Sequence, residues 1–285
     1  MKKRLMEALS IQTWVNNNFI GTILDPLEAW QCDFLNFANQ YEKPILANCC
    51  RGSGKTELAA IVATHTVIFR ENQTVLLASP GFTQSKEAYR RCRKLYDKYE
   101  SDSKPYLTSD SKSGMELSNG SRLVTISGGN PISPRSFRSN LILCDELAYC
   151  DREMVESALI PSQAGVPGAR IIFISTPNGK EGNIFYEYWE SAPGSFNKIL
   201  IPADKSKRIS EKYLAQQKAV TRPERFEQEY FCRFIAGGER AYFDADVVDR
   251  CFVNITGDYP ISPLALEYKI QEMQGHRCSG HTSGE

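Results

Sequence analysis

Residues 49–58 read CCRGSGKTEL: the end of an apolar run, then a glycine-bearing stretch closed by a lysine and a threonine. Gly52 and Gly54 free the backbone to curl, with the small Ser53 between them. A helix starting at such a turn points its first N–H groups at an anion. Lys55 can then reach the outer oxygens of a nucleotide's phosphates, and the Thr56 hydroxyl can ligate a divalent cation. The pattern is C-x-x-x-x-G-K-T, complete except for Cys49 in place of the opening glycine. An arginine, Arg51, stands inside the loop.

Three further clusters suit the same chemistry. LILCDE (141–146) ends an apolar run in Asp145 and Glu146. Asp145 suits a Mg²⁺ shell shared with Thr56, and Glu146 suits a base that orients and deprotonates water. Alone, such a pair reads more readily as an acidic N-cap or loop pair; beside a phosphate loop, the chemical reading takes precedence. IIFISTPNG (171–179) places Ser175, Thr176 and Pro177 where a strand leaves the sheet, the edge where ligands bind in open α/β folds. A hydroxyl there can sense a terminal phosphate, or the segment is simply a strand exit. In DPLEAWQCDFLNFAN (25–39), Leu27, Trp30, Phe34 and Phe37 share one helical face. Gln31 there offers an amide to an adenine edge, or faces solvent beside the core tryptophan.

Positioning these groups calls for alternating strands and helices. Buried strands are expected at 43–50, 73–80, 139–147 and 169–177, and helices at about 55–69 and 82–100. A further helix is expected from Asp151, its N-cap, to the Gly165–Gly168 turns. Segment 114–129 carries an Asn-Gly turn between alternating runs, the mark of a β-hairpin. Beyond about Ser195 the strand rhythm fades into two short amphipathic helices, at 209–220 and 222–234. This is an α/β fold with a mostly parallel sheet of the P-loop, RecA-like kind, flanked by helices, with a hairpin insertion and a helical lid. The boundaries expected are a core over 1–200 that includes the adenine-contacting segment, a lid and linker over 201–256, and a flexible tail or truncated domain start over 257–285.

Bulk properties narrow the field. Thirty-four basic residues balance thirty-four acidic ones, so any grip on nucleic acid must be a local patch. Nine scattered cysteines fit free buried thiols better than a disulfide framework. No run is long and apolar enough to cross a bilayer, and the N-terminus is too polar for a signal peptide, which points to a cytoplasm.

In order, WQ, CCRGSGKTE, LILCDE and ISTPNG, followed by RFEQEYFCRF, resemble the ATPase half of the phage large terminase family over about residues 20–240. The in-loop Arg51, the Ser-Thr-Pro-Asn-Gly exit and the Arg-Phe-x-x-Glu-Tyr helix carry the most specific part of the likeness. That family tolerates the missing first glycine. The resemblance implies an ATP- and Mg²⁺-dependent motor that moves double-stranded DNA into a procapsid in an infected bacterial cell. Its implied partners are a portal protein, a small terminase subunit and further copies of the chain in a ring. It assigns Gln31 to adenine, Ser175-Thr176-Pro177 to coupling, and residues 209–234 to the lid. It also implies an arginine finger from a neighbouring subunit; Arg135 is the first choice and Arg138 the next, with plain surface charge as the alternative.

The chain departs from full-length large terminases by ending soon after the lid, so no nuclease activity is expected of it. Lys86, Arg90, Arg91, Arg93, Lys94 and Lys98 make the 82–100 helix either a solvated face or a grip on DNA phosphates. His276, Cys278 and His281 offer too few ligands for zinc. A helicase-like ATPase and a nucleotide-binding scaffold are the competing functions. The first needs a second sheet domain, and the second has no need of Glu146.

Overall fold

The computed structural model describes residues 2–40, 43–128, 134–180 and 182–235. Helices α1 (Lys2–Leu9) and α2 (Ile11–Asn18) open the chain, followed by α3 (Ala29–Gln40). Next come β1 (Ile45–Cys49), α4 (Lys55–Phe69), β2 (Thr74–Ser79) and α5 (Phe82–Lys98). Strands β3 (Leu107–Ser111), β4 (Gly114–Leu117), β5 (Arg122–Ser127) and β6 (Leu141–Asp145) follow. The described chain continues through α6 (Arg152–Met154), β7 (Arg170–Ser175), α7 (Ile184–Glu190) and β8 (Asn197–Ile201), and ends with α8 (Glu211–Val220) and α9 (Pro223–Phe231).

The strands form one sheet in the order β3-β4-β5-β2-β6-β7-β1-β8. From β5 to β8 every neighbouring pair is parallel, while β3 and β4 add antiparallel pairs at one edge, β4 joining β5 through Asn119 and Gly120. Both faces are covered, so the central strands are apolar throughout. On β1, Ile45, Ala47 and Cys49 face the layer holding α4, while Leu46 faces the opposite layer with Phe173 and Phe185. Helix α4 is buried on almost every side, which its run of Ala, Val, Ile and Leu permits. Each Val, Ile or Leu side chain among them contributes about 1.5–3 kcal/mol when fully buried.

Three expectations need correcting. Strand β8 continues the sheet past Ser195, pairing with β1 from Ile45↔Asn197 to Cys49↔Ile201. As an edge strand it buries only Ile199 and Ile201, and Lys198 and Leu200 are exposed, so the apolar run is too broken to stand out. Helix α3 turns Trp30, Gln31, Phe34, Leu35 and Ala38 inward, which leaves Phe37 exposed rather than in the core. Polar residues interrupt α1 and α2, which no apolar pattern marks. Tertiary contact holds them: Glu7 of α1 accepts from Asn18 Nδ2 at 3.0 Å and from the Tyr99 hydroxyl at 3.2 Å, and the Trp14 ring of α2 meets those of Phe19, His65, Phe69 and Tyr99 at centroid distances of 4.7, 5.4, 6.0 and 5.7 Å.

The third correction lies after β6. Asp151 does cap a helix, its carboxylate accepting the Met154 N–H at 3.3 Å. That helix gives way to a π turn at Val155–Leu159 and a 3₁₀ turn at Ile160–Gln163. Pro161 has no N–H for the Ser157 carbonyl, so a regular ladder cannot continue.

Candidate active site

Strand β7 lies between β6 and β1, so the loops leaving all three meet at one edge of the sheet. From β1 the next helical crossover leads to β2, on the far side of β6 and β7, and this reversal of winding opens a crevice where α/β proteins bind ligands.

The phosphate loop has the backbone such a crevice needs. Gly52 and Gly54 have φ of +82° and +90°, and Gly54 is the N-cap of α4. A Cβ built on Gly54 would stand 2.8 Å from Arg208 Nη1 and 3.3 Å from Gln31 Nε2. The Ser53 hydroxyl donates to the Cys50 carbonyl at 2.9 Å and closes the turn. Burial pushes the Cys49 thiol well above its ordinary range, so this side chain is a neutral wall beneath the loop.

The acidic pair meets the loop directly. The Thr56 hydroxyl donates to Asp145 Oδ2 at 2.6 Å. Lys55 Nζ lies 3.1 Å from Glu146 Oε1 and donates to Thr176 Oγ1 at 3.1 Å. Glu146 reaches this position from a left-handed backbone, φ +60°, a conformation that costs an ordinary side chain about 1–3 kcal/mol. Burial, then the neighbouring Glu146, raises the Asp145 pKa to about 6. Burial works against the Lys55 ammonium, but Glu146 and Asp145 outweigh it and its pKa is raised.

Asp145 Oδ1 and Glu146 Oε2 are buried without a hydrogen-bond partner. Orphaned carboxylate oxygens beside a threonine hydroxyl are a donor set suited to a hard cation and an ordered water. Among the described residues, no group of three or more His, Cys, Asp or Glu side chains forms a metal site by itself. Mg²⁺ fits that sparse set, since it ordinarily completes its shell with phosphate oxygens and water.

The remaining candidates divide. Ser175 accepts the Ala148 N–H at 3.0 Å and donates to the Thr176 carbonyl, so it shapes the exit, while Thr176 reaches Lys55. Pro177 is buried beside them. Gln31 is buried rather than solvent-facing; its Oε1 accepts the Glu28 N–H at 2.9 Å, and its Nε2 is the end turned to Gly54. Arg51 leans away from the acidic pair toward α9, lying 3.6 Å from Glu229. Arg135 donates to the Ser157 carbonyl at 2.8 Å, the group that Pro161 leaves unmatched, and lies 3.8 Å from Glu153. Arg138 is exposed. On α5, Arg90, Arg91 and Arg93 pair with Glu87, Glu57, Asp97 and Asp110, so much of that basic charge is neutralised locally. The possible zinc ligands and the whole of segment 257–285 lie outside the described residues.

A family model for the N-terminal part of the terminase large subunit, T4-like virus type, matches residues 47–247. The chain belongs to that family. Its fold is similar to the large terminase ATPase domain of Thermus phage P74-26, with a TM-score of 0.58 at 18% identity, over 74% of this chain and 94% of that one. The large terminase of bacteriophage HK97 gives a TM-score of 0.64 at 15% identity, over 80% of this chain and 55% of that one. The large terminase of a thermophilic bacteriophage, in complex with ATP-gamma-S, gives 0.59 at 12%, over 73% and 53%. At these identities the likeness is one of fold. The chain spans about half the length of the last two proteins.

Within this terminase chain, three contacts around the site have no signal in the motifs. The Arg51 N–H donates to the Glu229 carbonyl at 2.8 Å, and Asn48 Nδ2 donates to the Cys232 carbonyl at 3.0 Å. The Gly179 N–H donates to Gln228 Oε1 at 3.1 Å. The end of α9 therefore touches both the phosphate loop and the strand exit bearing Thr176. Long-range pairing of this kind leaves no spacing to read.

Proposed function

We propose that this chain is the ATP-hydrolysing motor subunit of a viral large terminase, driving double-stranded DNA into a procapsid. The observation that carries the reading is the joining of Lys55 and Thr56 to Glu146 and Asp145 across β1 and β6. Gly52, Ser53, Gly54 and the start of α4 cradle the phosphates, Lys55 grips their outer oxygens, and Gln31 meets the adenine. Thr56 and Asp145 hold Mg²⁺, which supplies charge neutralisation on the phosphate oxygens. Water attacks the terminal phosphorus, its proton passes to Glu146, and the bond to the bridging oxygen breaks to leave ADP and phosphate. For that to happen Glu146 must leave Lys55, which then serves the phosphates. Arg51, with Arg135 or Arg138 from a neighbouring subunit, stabilises charge on the transferring group.

The contacts of α9 with Arg51 and Gly179 support residues 209–234 as a lid that feels both loops, within a lid and linker over 201–256, with Ser175, Thr176 and Pro177 relaying phosphate loss. The core then occupies 1–200, with the stretch from 257 serving as tail or domain start. In this reading the chain works as a ring on the portal, with a small terminase subunit, in the cytoplasm of an infected bacterium. The thermophilic phage relative in complex with ATP-gamma-S supports nucleotide as the ligand. Steady-state ATP hydrolysis measured alone, with double-stranded DNA, and with DNA plus portal-bearing procapsids tests the proposal. Turnover should rise at each addition. Turnover indifferent to both would leave an ATPase that is not a packaging motor.

A further inference from the structure

We propose that Arg208 binds the nucleotide's phosphates from within the same chain, an inference that rests on the ATPase reading. Arg208 lies two residues before Ser210, whose hydroxyl caps α8 by accepting the Tyr213 N–H at 3.2 Å. Its backbone is pinned from the opposite side of the loop: the Arg208 N–H donates to Glu28 Oε1 at 3.0 Å. The same oxygen accepts the Ser206 hydroxyl at 3.3 Å, and Glu28 Oε2 accepts Trp30 Nε1–H at 2.8 Å. A carboxylate held by three donors thus fixes where the Arg208 side chain starts.

The side chain ends on the phosphate loop. A Cβ on Gly54 would stand 2.8 Å from Nη1 and 3.3 Å from Cζ, so the guanidinium packs directly against the loop where α4 begins. Among the described residues no carboxylate pairs with it, whereas Lys55 is engaged by Glu146 and Arg51 by Glu229. Arg208 is also exposed, so it can meet a ligand without first losing a buried partner. An uncommitted guanidinium over an anion-selecting helix start is matched to phosphate, which it can grip with two parallel hydrogen bonds. Because Arg208 leads into α8, that grip fastens the lid entry to the bound triphosphate.

Calorimetric titration of the full chain with ATP and with inorganic tripolyphosphate, both with Mg²⁺, tests this on the parental chain, Arg208→Gln and Arg208→Glu. ATP affinity should fall about tenfold in Arg208→Gln and further in Arg208→Glu, with tripolyphosphate affinity falling by similar factors. KM for ATP should rise in parallel while kcat stays within about threefold. Parental ATP affinity in Arg208→Gln would overturn the inference alone. So would loss of ATP binding with tripolyphosphate binding intact, which marks a contact to the base or ribose. Equal losses in Arg208→Gln and Arg208→Glu would also overturn it, by assigning the residue a structural role. Failure of the parental chain to bind ATP would instead sink the ATPase reading itself.

Discussion

At Gly54 the backbone stands at φ +90°, with Arg208 and Gln31 against its would-be Cβ. A methyl group there is strained by the left-handed backbone and pushes the flexible end of Arg208 aside. Gly54→Ala should therefore lower ATP affinity at least tenfold, since a left-handed non-glycine residue alone costs about 1–3 kcal/mol. A nucleotide titration checks this, and parental affinity would mean that the loop tolerates a side chain. The chemical residues at this scale were legible because local spacing defines them: Lys55 and Thr56 follow their glycine, and Asp145 and Glu146 end an apolar run. Arg208 and Glu28 were not legible, because their value depends on how distant segments fold against the loop. Cys49, the departure from pattern, is a buried neutral thiol.

Among the elements, α4 joins site to core: Lys55 and Thr56 stand in its first turn and His65 lies within it. His65 is buried, donates to the Glu7 carbonyl at 2.8 Å, and packs against Trp14. Burial, with Arg170 adding to it, pushes its pKa down to about 4. The folded chain then refuses a proton that the unfolded chain accepts at ordinary histidine pKa. Stability from this group is present above pH ~6.5 and is lost as pH falls toward ~4, by on the order of 3 kcal/mol. Denaturant unfolding at pH 7 and pH 4 should show a smaller pH effect in His65→Gln; equal pH effects would refute it. The central strands and α4 were readable because burial on all sides demands continuous apolar sequence. Strand β8, the π and 3₁₀ turns at Val155–Gln163, and α1 with α2 were not. An edge strand, a ladder interrupted by Pro161 and helices held by contacts to distant segments each lack a period to read.

For the molecule as a whole, strand order brings the β1, β6 and β7 loops together, and the fold is that of large terminase ATPase domains. Assembly is where the proposed mechanism reaches beyond one chain. Arg135 is exposed, and its hydrogen bond to Ser157 must yield if it is to enter a neighbour's site. Mixing Arg135→Ala chains with Glu146→Gln chains should restore turnover at interfaces that pair an intact Arg135 with an intact Glu146. No restoration on procapsids would assign Arg135 to the Ser157 contact alone. The Glu146→Gln chain reports whether Glu146 activates water in an ATP site built on Lys55, Thr56 and Asp145. Its ATP binding and single-turnover hydrolysis should be measured side by side. Binding should be retained, with hydrolysis slowed by about 10² or more. Hydrolysis at the parental rate would contradict that role for Glu146.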